Sequence, residues 1–203
     1  MFLRDPMAFL SAFPAILVAV TVHEFAHGKM AAILGDPTPQ MNGRLTLNPL
    51  RHLDPIGTLM LVFVGFGWAK PVPVNAMYFA DRRKGMVYTA LAGPVMNLGM
   101  AYFAMLFLEL LRPGGAFGLF FTYLVWFNVV LAVFNLIPIP PLDGSQVLFN
   151  LLPPRLAYKM APLRQYGQFL LIGLLILGIL GRIIRPLILF VIGIIGFLVG
   201  LIL

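Results

Sequence analysis

The segment VAVTVHEFAHGKM, residues 18–30, lies in the second half of an apolar run that extends from about Met7 to Leu34. This run is long enough to cross a bilayer, because a transmembrane helix needs about 20 predominantly apolar residues. His23, Glu24 and His27 interrupt it, although ionisable groups are costly in hydrocarbon. The segment therefore predicts a membrane-spanning helix whose polar groups are retained for a chemical purpose.

The composition of the whole chain is that of an integral membrane protein. Of its 203 residues, 61% are hydrophobic and only 10% are charged, whereas soluble domains are about 25% charged. The absence of cysteine excludes disulfides, thiolate metal ligands and cysteine nucleophiles. The net charge of +7 comes from basic residues between the apolar segments. This placement favours anionic lipid headgroups, and not nucleic acid, as their partners.

The hydropathy pattern predicts an all-α membrane protein with about five to six transmembrane helices. The clearest spans are at about 7–34, 86–111, 116–136, 166–180 and 186–203, with GRIIRP (181–186) separating the last two. The apolar part of residues 55–79 is too short to cross easily, so we predict a short re-entrant or interfacial segment there. The alternation in KPVPVN (70–75) predicts an extended, β-like edge.

We expect residues 1–203 to form a single transmembrane domain. Its core would cover about residues 7–152, and additional C-terminal helices would cover about 166–203. The chain offers no room for a soluble domain of useful size.

The distribution of lysine and arginine predicts the orientation in the membrane. The 35–85 and 138–165 connections together hold most of these residues: Arg44, Arg51, Lys70, Arg82, Arg83, Lys84, Arg155, Lys159 and Arg164. The opposite side holds Arg4, Arg112, Arg182 and Arg185. Because basic residues concentrate in cytoplasmic loops, we expect the two longer connections in the cytoplasm and the N-terminus outside.

Residues 23–27, HEFAH, fit the pattern H-E-x-x-H. Positions i and i+4 of a helix face the same way, so His23 and His27 can share one metal ion. The adjacent Glu24 can then serve as a general base toward water. The alternative is a polar cluster that hydrogen-bonds helices together or lines a proton path.

A tetrahedral zinc site requires a third protein ligand and leaves one position open. Most other candidates lie in loops beside turn residues, where polar side chains are normal: His52, Asp36, Asp54 and Asp81. Asp143 instead follows a span directly, in NLIPIPPLDG (135–144), whose prolines prevent a regular helix. Irregular backbone at membrane depth is tolerated where it lines a cavity or is buried in protein. We therefore predict Asp143 as the third ligand; the alternative is an N-cap for a helix starting at Ser145.

Together, HEFAH (23–27), AGPVMN (92–97) and NLIPIPPLDG (135–144) resemble the site-2 protease family of intramembrane zinc metalloproteases. GWAKPVPVN (67–75) is similar to the connection after the HExxH span in compact prokaryotic members.

The resemblance implies one zinc ion per chain, bound by His23, His27 and Asp143, with Glu24 as the general acid/base. It also implies a helical core of three spans, here the first three. Many members carry PDZ or CBS domains, for which we expect no room in this chain. The usual Asn-Pro-Asp-Gly form of the third motif is replaced by the longer spacing from Asn135 to Asp143. The expected location is a prokaryotic cell membrane, with the active site nearer the cytoplasmic side.

The expected activity is hydrolysis of peptide bonds within or near transmembrane helices of other proteins. Such a helix must unwind locally, and KPVPVN (70–75) could pair with the unwound segment by strand addition. Asn97 and Asn135 could hydrogen-bond the substrate backbone or the oxyanion, or could hydrogen-bond helices to one another. The alternative function is a non-proteolytic membrane metal-binding or transport protein that uses the same His/Asp cluster, with Glu24 as a further ligand or proton relay.

Overall fold

The computed structural model describes residues 5–65 and 67–203, so Arg4, predicted to lie outside the cytoplasm, is not among the described residues. These residues form nine α-helices: α1 (Pro6–Ile33), α2 (Thr38–Met41), α3 (Pro55–Val64), α4 (Arg82–Leu111), α5 (Gly115–Asn135), α6 (Asp143–Leu151), α7 (Pro154–Lys159), α8 (Ala161–Ile176) and α9 (Ile179–Gly200). Two short 3-10 turns, Pro49–Arg51 and Ala76–Tyr78, lie in the connections.

Four helices in the described part of the chain are long and apolar enough to cross a membrane: α1, α4, α5 and α9. The all-α membrane fold is thus confirmed, with fewer candidate spans than the five to six predicted. The segment predicted as the fourth span folds as α8, which has 16 residues. At 1.5 Å per residue it is about 24 Å long, short of the roughly 30 Å hydrocarbon core.

The prediction that GRIIRP (181–186) separates two spans is wrong. This segment lies inside α9, which begins at Ile179 and continues through Pro186. The break occurs earlier, at Gly178, whose φ of +67° suits glycine in particular. The arginines had suggested a loop, but long basic side chains can extend from a helix toward the membrane surface.

The segment predicted to be re-entrant consists of α3 and the chain that follows it back to Ala69. The Asp54 side chain accepts the N–H of Gly57, and Pro55 opens the helix, which ends at Gly65 with φ +82°. Ten residues make about 15 Å of helix, half of the hydrocarbon core. The returning chain forms an isolated antiparallel bridge between Leu53 and Ala69. The described residues contain no regular strand, and the β-like part is limited to this extended return.

The core of the bundle is the packing of α1 against α4 and α5. The buried face of α1 is made of small residues, among them Ala15, Ala19 and Gly28, which lets neighbouring helices approach closely. A second apolar cluster joins α4 and α5 to the C-terminal helices through Ala101, Val129 and Ile188. Many large apolar side chains remain exposed on the outside, as expected for a surface that faces lipid.

The start of α4 is fixed by Asp81 and Arg83. The Lys84 and Arg83 backbone N–H groups donate to the Asp81 carboxylate, and the Lys84 hydrogen bond lowers its pKa. The Arg83 guanidinium donates to the carbonyls of Asn150 and Leu152. These bonds hold α6, and with it Asp143, against the beginning of α4.

Candidate active site

Three ligand atoms from two helices converge at one point. His23 and His27 lie one turn apart on α1, and their Nε2 atoms are 3.0 Å apart. Asp143, the first residue of α6, places Oδ2 3.2 Å from each Nε2. The structure therefore brings together the three residues that the sequence predicted as metal ligands.

Hydrogen bonds on the far side of each imidazole determine its tautomer. Nδ1 of His27 lies 2.7 Å from the carbonyl oxygen of Thr89, which can only accept, so this nitrogen carries the proton. Nδ1 of His23 lies 2.5 Å from Oδ1 of Asn97, whose Nδ2 donates to the Ala19 carbonyl and to Asn128. Each ring therefore directs its other nitrogen, Nε2, toward the Asp143 carboxylate.

This donor set fits a zinc ion. Two imidazole nitrogens and a carboxylate oxygen this close together need a proton or a metal cation among them, and Asp143 Oδ2 is buried without a hydrogen-bond partner. For ligands about 2.0 Å from tetrahedral zinc, the ligand atoms would be about 3.3 Å apart. The observed separations of 3.0–3.2 Å are close to that value.

Gly93 of α4 provides the space for the paired imidazoles. A Cβ atom at this position would lie 2.4 Å from Nε2 of His27 and 2.7 Å from Cε1 of His23. Thr89, Gly93 and Asn97 recur every four residues, so they share one face of α4. This stripe matches the spacing of His23 and His27, and it is the sequence signal that could have identified Gly93.

Glu24 points to a different neighbour, the extended segment 70–75. Its Oε2 accepts the backbone N–H of Val72 at 2.9 Å. The Val72 side chain packs near Gly28 of α1, where an added Cβ would meet it at 3.3 Å. The carboxylate is therefore oriented by a segment far from it in sequence.

Two buried residues anchor the same segment, and sequence reasoning did not single them out. Asp36 is fully buried, and its two carboxylate oxygens accept the N–H groups of Thr38 and Asn75. The buried Arg44 guanidinium donates to the carbonyl of Lys70. The interpretation of Asp36 as an ordinary loop residue thus missed its position in the interior.

His52, also interpreted as an ordinary loop residue, is fully buried as well. Its carbonyl accepts the N–H of Lys70, and its Nε2 lies 2.8 Å from the carbonyl of Thr46.

The remaining predicted site residues occupy different environments. Asn97 is completely buried behind His23, so it contacts a predicted ligand and not an open surface. Asn135 ends α5 half-buried, and its Nδ2 donates to the Leu131 carbonyl of its own helix. Asp143 is not an N-cap: Leu142 occupies that position, and Asp143 faces the imidazoles.

Comparison with known proteins shows which family the chain is similar to. The sequence model of peptidase family M50 matches residues 114–180, which contain Asp143. "Putative zinc metalloprotease YwhC" of Bacillus subtilis is 40% identical over 180 residues, covering 84% of this chain and 82% of that protein. "Putative zinc metalloprotease Rip2" of Mycolicibacterium smegmatis is 32% identical over 192 residues, covering 87% of this chain and 72% of that protein. No solved structure matches significantly.

The chain therefore belongs to peptidase family M50, the site-2 protease family. It is an integral membrane metallo-endopeptidase, and the family acts on membrane-embedded substrates.

Proposed function

We propose that His23, His27 and Asp143 bind one zinc ion per chain and that Glu24 is the general acid/base of peptide hydrolysis. The observation that carries this proposal is the convergence of two imidazole lone pairs on a buried carboxylate oxygen. Bound there, zinc supplies a Lewis acid that polarises a peptide carbonyl and lowers the pKa of water.

The protein's own groups then perform the proton transfers. The Glu24 carboxylate takes a proton from the attacking water and returns it to the leaving amine nitrogen. The Val72 N–H fixes one carboxylate oxygen, which leaves the other for the proton. Asn97 and the Thr89 carbonyl hold the two imidazoles in the tautomer that binds metal. Asn97 is thus a positioning residue in this proposal.

The substrate in this proposal is a transmembrane helix of another protein, cleaved where it unwinds. Pro71 and Pro73 remove two backbone donors from the extended segment, so on those residues only carbonyls are available to a paired strand. Strand addition there would be partial. Asn135 remains our candidate for a hydrogen bond to the substrate backbone or the oxyanion.

We further propose that the site lies nearer the cytoplasmic side of a prokaryotic cell membrane. The predicted ligands lie toward the end of α1 that leads into the basic connection holding Arg44, Arg51 and Lys70. We also propose that the chain acts as one domain, because a single apolar cluster includes Ala101 of α4, Val129 of α5 and Ile188 of α9.

Glu24→Gln tests the function against a metal-binding or transport role. Glutamine keeps the size of the side chain and can still accept from Val72, but it is not a base. Removing a general base typically costs about 10²–10⁴-fold. We expect cleavage of membrane proteins in cells to fall by that amount, measured by proteomics of cleaved transmembrane segments, while metal analysis still finds one zinc per chain.

Glu109→Gln is the matched control, because the same change at the far end of α4 leaves the site intact. Unchanged cleavage in Glu24→Gln would contradict the protease mechanism. Asp143→Asn should lose both zinc and cleavage, which separates loss of the metal from loss of the base.

A further inference from the structure

An apolar cleft lies between α1, α3 and α5, away from the predicted metal ligands. Its volume is about 330 Å³. An engineered cavity of about 150 Å³ holds a benzene molecule, so this cleft has room for roughly two large side chains. Its principal walls are apolar residues of three helices: Phe9, Phe13, Ile16, Leu61, Trp126 and Val130.

The α1 wall of the cleft continues directly to Glu24. Phe9, Phe13 and Ile16 recur at intervals of four and three residues, and Val20 and Glu24 extend the same spacing. Residues at this spacing form one face of a helix. At 1.5 Å per residue, Ile16 is about 12 Å and Phe9 about 22 Å along the axis from Glu24.

The other two walls lead in the same direction. Val130 of α5 is five residues before the end of that helix, which is followed by the connection to Asp143. The re-entrant α3 starts beside the Leu53–Ala69 bridge, close to the segment that contacts Glu24, and its far end reaches the cleft. All three helices thus extend from the cleft toward the candidate active site.

We propose that this cleft is the docking site for the part of the substrate helix that stays helical during cleavage. It receives two large apolar side chains located about 8 to 15 residues from the scissile bond, the helical equivalent of the 12–22 Å separation. A whole helix, about 10 Å wide, does not fit, so the substrate lies against α1 and α5 and inserts side chains. This proposal rests on the proposed function, and it adds a fixed distance between the docked side chains and the scissile bond.

Thiol cross-linking tests the proposal, and the natural chain has no cysteine to interfere. Ile16→Cys and Val130→Cys are each placed in the cleft, in the Glu24→Gln background. Leu10→Cys is the matched control, because Leu10 lies on α1 but is 67% exposed and outside the cleft.

The probe is a designed single-span Leu/Ala polypeptide of about 20 apolar residues. It has a helix-breaking Asn-Gly pair near its cytoplasmic end and one cysteine at a varied position. Each variant is reconstituted with the probe in lipid vesicles and oxidised with dipyridyl disulfide, which adds no metal.

We expect both cleft cysteines to link to probe cysteines about 8 to 15 residues from the Asn-Gly pair, with at least about fivefold less linking at Leu10→Cys. Equal linking at Leu10→Cys, or linking without dependence on probe position, overturns the proposal. Three other results also overturn the proposal. They are cross-links only between two copies of the protease, cross-links only to a thiol-bearing lipid, and no cross-links at all.

A second variant tests the same cleft by enzyme kinetics. Val130→Trp should fill the cleft and raise the KM for the probe about tenfold, with kcat and zinc content unchanged. Leu10→Trp should leave KM, kcat and zinc content unchanged. An unchanged KM in Val130→Trp counts against docking. Cleavage of the probe without cross-linking refutes the docking site alone, and cross-linking without cleavage by the natural chain refutes the proposed function alone.

Discussion

The carboxylate of Glu24 accepts a hydrogen bond from the backbone N–H of Val72, 48 residues further along the chain, at 2.9 Å. The bond connects the HExxH helix to the extended segment 70–75. Because every residue except proline keeps its backbone N–H, the contact depends mainly on the path of the chain. The orientation of the proposed general base is therefore determined by how this segment is anchored.

Val72→Pro removes this donor and keeps the extended backbone, which proline favours. A hydrogen bond to a charged group contributes about 1.5–3 kcal/mol, so we expect kcat to fall about 10- to 100-fold. Zinc content should not change, because no ligand is disturbed. The measurement is cleavage of a reconstituted membrane substrate together with metal analysis.

Val74→Pro is the control for Val72→Pro. It makes the same change two residues later, in the same extended segment. We expect kcat within about twofold of the natural chain. Equal loss in both variants would mean that proline disturbs the segment as a whole, and that the Val72 donor has no special role.

Asn97→Leu tests the hydrogen bond behind His23. Without the Asn97 oxygen, Nδ1 of His23 loses its acceptor and the ring is free to adopt the other tautomer. Loss of a group that orients a metal-binding histidine typically costs 10–100-fold in metal affinity. We expect zinc affinity to fall by about that factor, measured by competition with a chelator.

Asn128→Leu provides the graded comparison. Asn128 accepts from Asn97 and does not touch the histidine, so its loss should weaken zinc binding by less than Asn97→Leu. If Asn97→Leu binds zinc as tightly as the natural chain, Asn97 does not position His23. Its role would then be to hydrogen-bond helices to one another.

Gly93→Ala tests the close approach of α4 to the paired imidazoles. The added Cβ would lie 2.4 Å from Nε2 of His27, so the rings or the helix must move. A displacement of about 1 Å can cost 100-fold in rate. We therefore expect cleavage to fall about 100-fold, with a parallel loss of zinc.

Gly99→Ala is the matched control in the same helix, because a Cβ there meets nothing within 4 Å. It should stabilise α4 by about 0.5–1 kcal/mol and leave cleavage unchanged. Full zinc binding by Gly93→Ala would contradict this expectation, because the imidazoles would then be able to move without loss of the metal site.

The sequence predicted the residues of the candidate site better than the residues that support them. His23, Glu24 and His27 stand out because each is costly in an apolar span, and Asp143 because it follows a span within a proline-rich segment. The burial of Asp36, Arg44 and His52 was not predictable in this way. Their partners are backbone groups of the 70–75 segment or of their own loop, and such contacts leave no periodic pattern.

The fold was predicted where hydropathy alone decides it. The first three spans agree closely with α1, α4 and α5, whereas GRIIRP (181–186) was misassigned because its arginines were interpreted as loop residues. Whether an arginine ends a helix or extends from it depends on the membrane depth of that helix, which composition does not specify.

Asp36→Asn tests the anchoring of the 70–75 segment at its other end. Asp36 accepts from Thr38 with one oxygen and from Asn75 with the other, so an amide nitrogen in place of either oxygen breaks one bond. A buried group left unsatisfied costs about 1–3 kcal/mol. We expect a lower melting temperature and a kcat reduced about tenfold, because the segment that orients Glu24 loosens, with zinc content unchanged. Asp54→Asn makes the same chemical change at the N-cap of α3, where asparagine caps as well as aspartate, and should leave both stability and kcat unaltered. A normal kcat in Asp36→Asn, despite lower stability, would show that Glu24 keeps its orientation without this anchor.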